Sequence, residues 1–334
     1  MQEKIPSRIF RVDELKHLYS DMYTPNGFQA SSGEMFKDAI FGRDSLIALL
    51  SLYETDEAIL WHSTATLHSV AAMRGLEVNP RREEEPGKIA HELRVQSMSG
   101  TNPKVYKWLE SKFGEYADGV ILIWPSVDAT PLLISAAAAH CYRHGKEILR
   151  KKMGHVKVTI PAEEFGSILR RALNWMVEKI ERSRSGLLEY VRGNPEGHKF
   201  HVLEDGETSY RNEDGSYPNL SQPIAYLTSQ GQAYDALKAA EYIFPGDPDI
   251  EKWRSLRASI KNAVISHFWI ARDKTFAPAV YRNERTNRLR QLKMCSQVQT
   301  SILDSGIFEG MKEEERRYYV GSILESLFTP EFLT

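Results

Sequence analysis

Three carboxyl side chains lie within four residues at Glu204, Asp205 and Glu207, between Leu203 and Thr208. Like charges crowded in this way raise the pKa of one of their number, and a carboxyl kept protonated near neutral pH can hand a proton to a leaving oxygen. A second cluster is Gly42-Arg43-Asp44-Ser45, at the mouth of an apolar helical run. Guanidinium is a fixed fork of donors and carboxylate accepts only, so the pair suits a ligand crowded with hydroxyl groups. The residues alone leave plainer readings open: a solvated turn has the composition of 203–208, and Asp44 or Ser45 could simply cap the following helix.

Other chemistries find little support. The ten histidines are scattered, and the His140/His144 pair lacks the central Glu of a His-Glu-x-x-His zinc site. No nucleophile elbow, Walker loop or dinucleotide fingerprint occurs, so no metal or organic cofactor is expected. A net charge of -2 without long runs of one sign suggests neither nucleic acid nor an anionic membrane as partner; a neutral substrate fits. Cys141 and Cys295 are too few for a disulfide framework, the N-terminus lacks the apolar core of a signal peptide, and no apolar run approaches a membrane span. A soluble, cytoplasmic protein is expected.

The elements that must position these residues read as helices. Apolar residues recur at helical spacing over 34–53, 56–74, 129–144, 162–183, 222–244, 249–269 and 313–327. The two first are expected to be antiparallel across the Glu54-Thr55 connection. Long mixed stretches over 80–124 and 187–220 interrupt the rhythm, and connections of such length are usually functional. The segment 271–294 reads as strand or loop. No fixed-length repeat and no low-complexity linker divides the chain, so 334 residues are expected to form one domain.

Four stretches together carry a family resemblance: Gly42-Arg43-Asp44-Ser45; Arg82-Glu83-Glu84-Glu85-Pro86-Gly87-Lys88-Ile89-Ala90-His91-Glu92-Leu93-Arg94; Val127-Asp128-Ala129-Thr130-Pro131-Leu132; and Thr208-Ser209-Tyr210 ahead of Glu213-Asp214-Gly215. From about residue 36 to about residue 306 the chain resembles the glycogen-debranching (amylo-alpha-1,6-glucosidase) and glucoamylase-like six-hairpin glycoside hydrolases. The resemblance implies an all-α (α/α)6 toroid, here incomplete with about eight to nine of twelve helices. It implies an oligosaccharide or polysaccharide substrate whose α-glucosidic bonds are hydrolysed with inversion, by carboxyls about 6.5–9.5 Å apart.

Relatives show Trp-x-Asp-Ser followed by Asp-Gly, which sets Asp205 on the general acid and Asp214-Gly215 on the second pair. This chain has Leu203 at the Trp and Gly206 at the Ser, so Glu207 competes with Asp205. The general base falls on a segment beyond residue 334. By resemblance Arg43 and Asp44 grip hydroxyls of the terminal sugar, and His91, Glu92, Arg94, Trp124 and Asp128 join them. Plainer roles exist for each: a surface histidine for His91, core packing for Trp124, an N-cap for Asp128, and a solvated charge cluster for Glu83, Glu84 and Glu85 with Arg81 and Arg82. Two other functions compete with hydrolysis. One is an inactive carbohydrate-binding protein on the same ring. The other is a sugar epimerase or phosphorylase, which would need histidine-centred chemistry or phosphate.

Overall fold

The rows of apolar residues become helices that share one core, as described by a computed structural model over residues 23–24, 26–28, 36, 39–53, 60–97, 102–155, 160–204, 206, 209–283, 285–294 and 296–328. In chain order the helices are α1 (Gly42–Tyr53), α2 (Leu60–Ala72), α3 (Pro103–Phe113), α4 (Ala129–His144), α5 (Phe165–Arg182), α6 (Leu227–Ile243), α7 (Ile250–Phe268) and α8 (Glu313–Leu327). α4 is central: it packs on α1, α2, α5 and α6, and α6 packs in turn on α7. Its completely buried Ala136 and Ala137 keep that surface thin, which lets neighbouring backbones approach. One apolar cluster runs from Phe28 to Ile323.

The fold is helical, as expected, with small antiparallel sheets joining the helices. β1 (Tyr23–Thr24) pairs with β2 (Gly27–Phe28), while β3 (Ile40–Phe41), β4 (Glu92–Val95) and β5 (Val120–Ile123) form a three-stranded sheet, paired Phe41↔Glu92 and Glu92↔Ile123. Alternate β5 side chains serve two cores, Val120 and Leu122 facing the main cluster while Ile121 and Ile123 face Tyr106, Leu109 and Phe113 of α3. A second three-stranded sheet joins Ile224–Tyr226, Ala279–Arg282 and Leu289–Gln291, so part of 271–294 is strand.

Sheet and helix meet at Gly42. Its N–H donates to His91 O at 2.9 Å, and a Cβ there would stand 2.1 Å from Ala90 O. Only glycine allows this contact, which fixes the start of α1 beside the start of β4. The long irregular stretches also touch: Asn194 Nδ2 donates to Arg81 O at 2.8 Å and to Lys112 O at 3.0 Å, and Val127 N donates to His201 O at 2.8 Å.

The His140/His144 pair belongs to the core rather than to a metal. The Tyr53 hydroxyl lies 3.2 Å and the Ser63 hydroxyl 3.0 Å from His140 Nδ1, and burial pushes the imidazole down to about 4 from 6.5. Between those values the unfolded chain takes up a proton that folded His140 refuses, so stability falls as pH falls through the window. A His140→Asn protein is expected to lose roughly 2 kcal/mol less than the parent on acidification, after allowance for screening. Urea unfolding of both at pH 7 and at mildly acid pH measures it, and equal losses would contradict it.

Candidate active site

Where α1, β4 and α3 converge, a cavity of about 610 Å³ opens. That volume lies within the range of small-molecule sites. Arg43 and Asp44 from the first turn of α1 form one wall, with Phe41 before them; His91, Glu92 and Arg94 form the next. Lys104, Val105, Trp108 and Leu109 of α3 form the third, and His198, Leu203 and Phe36 complete the lining.

Arg43 is only 3% exposed and stands between two carboxylates, 3.7 Å from Asp44 and 3.6 Å from Asp128. Asp128 does not cap α4 with its side chain. Ser126, two residues earlier, supplies an acceptor instead: its Oγ accepts from Ala129 N at 3.2 Å and lies 2.6 Å from Asp128 Oδ1. Asp128 is thereby left to Arg43, and burial raises its pKa although Arg43 opposes the rise.

Arg94 is ion-paired with Glu92 and lies 5.7 Å over the Phe41 ring. His91 packs edge-on against Phe41 at 5.6 Å and against His198 at 5.2 Å, and Trp108 continues the row at 5.9 Å from His198. Burial, reinforced by Arg43, holds His91 well below the usual imidazole range, so it is neutral at physiological pH. Among the described residues no hydrogen-bond partner reaches His91 Nδ1 or Arg94 Nη1, although both are buried. A polar wall left unsatisfied in this way is costly unless a ligand or solvent completes it.

The structure thus brings Arg43, Asp44, His91, Glu92 and Arg94 to one cavity, with Asp128 against Arg43. Trp124 takes its plainer role: it is completely buried, tilted on Tyr116 at 5.8 Å. Asp205 and Glu207 lie outside the described residues. Their neighbour Glu204 is half-buried and accepts a hydrogen bond from Tyr210 OH at 3.1 Å. Burial raises its pKa, Asp128 raises it further, and Arg43 opposes both. Asp214 lies in an exposed turn, where its Oδ1 accepts from Ser216 N at 2.9 Å, and it does not line this cavity. Sequence reasoning counted Glu204 in the acidic turn but preferred Asp205, and it passed over Lys104, Trp108 and His198; the N-cap Asn102 with Pro103 was a readable start for the helix that carries two of these.

Far from being a solvated cluster, the acidic block is structural. Glu83, at φ 58°, accepts from Tyr190 OH at 2.9 Å and Asn194 N at 3.3 Å, with His201 Nε2 at 3.5 Å. Fully buried Lys88 donates to Glu83 O at 3.0 Å and to Tyr190 OH. Burial drives its pKa down to about 8 and that of Glu83 up. Glu84 accepts from Leu76 N at 2.9 Å, and Glu85 accepts from Trp175 Nε1 at 3.2 Å and pairs with Lys179 at 2.6 Å. The block therefore ties the approach to β4 to α5 and to the segment that carries His198 and His201.

No protein-family profile matches the chain, and no curated protein matches it. Among solved structures, the fold is similar to that in the crystal structure of a sugar epimerase from a ruminal bacterium. Identity is 13% and the TM-score 0.52, over 95% of this chain and 69% of that one. At that identity the likeness is one of fold: a helical architecture shared with an enzyme that processes a sugar. Among the described residues no group of three His, Cys, Asp or Glu side chains is placed to hold a metal ion, and no helix is long and apolar enough to cross a membrane.

Proposed function

We propose that the protein is a glycoside hydrolase that cleaves α-glucosidic bonds of a glucan or oligosaccharide with inversion, its helices forming part of an (α/α)6 ring within a single cytoplasmic domain. The observation that supports this most is Glu204. Its carboxyl is half withdrawn from water and its pKa raised, on the turn where the resemblance puts the acid and within the field of Arg43 and Asp128. In this reading the terminal sugar enters the cavity and its hydroxyls meet Arg43, Asp44 and the Glu92–Arg94 pair. Glu204 gives its proton to the glycosidic oxygen as the bond to the anomeric carbon breaks. Water adds from the opposite face, deprotonated by the second carboxylate that the resemblance implies. Asp205 and Glu207 are the rival donors.

Incubating the full-length protein with maltotriose and with isomaltose, and following the anomeric signals by proton NMR, tests the reading. Early release of β-glucose is expected; no cleavage of either sugar would overturn it. Arg43→Ala is expected to lower affinity for the sugar on the order of 10- to 100-fold, since it removes charged hydrogen bonds to hydroxyls. It should also lower stability, because Asp128 is left buried without its cation. Calorimetric titration and urea unfolding of the same variant read the two effects separately.

A second reading, epimerisation of a reducing sugar, draws on one observation: neutral His91 stands beside His198 on the cavity wall. A neutral imidazole can take a proton from a carbon next to a carbonyl. The sugar epimerase among the similar folds agrees with it. Deuterium from the solvent appearing on a sugar carbon, without glycosidic cleavage, would replace the first reading by this one.

A further inference from the structure

We propose that Trp108 and Lys104 form a second sugar-binding position at the cavity mouth, which holds the ring next to the terminal sugar. This rests on the carbohydrate reading above and adds to it the residues that select an oligosaccharide over a monosaccharide. Single exposed apolar side chains are ordinary on a protein surface, and Trp61 and Tyr142 are examples that line no cavity described here. Trp108 differs in three ways. It is 48% exposed yet lines the cavity. It sits on a helix with its own support: Asn102 caps the first turn, accepting from Lys104 N at 3.0 Å, while Tyr106, Leu109 and Phe113 pack against Ile121 and Ile123 of β5. Lastly, its ring edge adjoins His198, which adjoins His91, so a sugar stacked on the indole is the direct neighbour of one held at Arg43 and Asp44.

The chemistry suits a pyranose. One face of the ring presents C–H groups to an aromatic plane, and its rim of hydroxyls needs donors. Lys104 is one helical turn before Trp108 and lines the same cavity, so its ammonium can serve that rim. Phe36, 41% exposed and edge-on to Phe41 at 5.8 Å, adds a second apolar ring to the lining.

The test is calorimetric titration of wild type, Trp108→Ala and Trp108→Phe with glucose, mannose, maltose, isomaltose and cellobiose, with circular dichroism as the check on folding. Wild type is expected to bind at least one disaccharide roughly ten-fold more tightly than its monosaccharide. Trp108→Ala should bind the two alike, and Trp108→Phe should keep most of the preference. A folded Trp108→Ala protein that still prefers the disaccharide overturns this assignment and leaves the carbohydrate reading standing. Wild type that binds none of the five sugars overturns both.

Discussion

A Glu204→Gln protein is expected to lose glycoside turnover by a factor on the order of 10²–10⁴ while its affinity for the sugar stays near that of wild type. Glutamine keeps the shape of the side chain and can still accept from the Tyr210 hydroxyl, which wild-type Glu204 does at 3.1 Å, but it carries no acidic proton. The loss should therefore fall on kcat, and it should shrink for a substrate whose leaving group departs without protonation, such as a nitrophenyl glycoside. The pH profile carries a sign. The acid must be protonated to act, and burial raises its pKa, so the alkaline limb of kcat/KM should lie above the ordinary glutamate range. Asp205→Asn and Glu207→Gln are the controls. Should either of them abolish turnover while Glu204→Gln does not, the acid belongs to that residue.

The largest effect on stability is expected at Lys88. Methionine there should cost about 3–5 kcal/mol, the usual cost of leaving one partner of a buried charged network uncompensated. Lys88 is wholly buried, its ammonium satisfied by Glu83 O and the Tyr190 hydroxyl, and the same hydroxyl donates to the Glu83 carboxylate at 2.9 Å. Removing the cation leaves Glu83 to carry a charge in an apolar interior, with Tyr190, the backbone N–H groups of Gly193 and Asn194, and His201 about it. Glu83→Gln removes that charge, so the double variant should recover part of the loss, with a coupling of about 0.5–3 kcal/mol. Urea unfolding of the parent, the two single variants and the double variant closes the cycle. Strict additivity would show that the two residues act apart.

How far the sequence could be read depends on how local each cause was. The helix over 129–144 is declared by its own residues, from Asp128-Ala129-Thr130-Pro131 at one end to Gly145 at the other, and α4 has those bounds. The helix expected from residue 34 instead begins at Gly42, because Ile40 and Phe41 pair with Leu93 and Glu92, partners that no local pattern displays. β4 and β5 stayed hidden for the same reason: each is four residues long, and each is defined by a partner on the far side of α3. The acidic block misled for a related cause. Its charges look solvated until Tyr190, Asn194 and Trp175 are brought against them by the fold.

Arg43, Asp44, His91, Glu92 and Arg94 were expected together on the strength of the resemblance, and the strand pair and helix start that they flank bring them to one cavity wall. His198 was not expected, since it lies in irregular chain whose position is set by the Glu83 network. Trp124 lies in the core and Trp108 on the cavity wall for a reason of depth. Trp124 follows an all-buried strand and shares its burial, whereas Trp108 lies on the exposed side of an amphipathic helix.

Amide hydrogen exchange with and without maltotriose puts the proposal of a carbohydrate site in this cavity to its most direct test. Protection should gather in peptides covering residues 41–44, 91–95, 103–109 and 198–204. Protection confined instead to the depression lined by Glu213, Lys293 and Glu325, or none anywhere, would contradict the assignment.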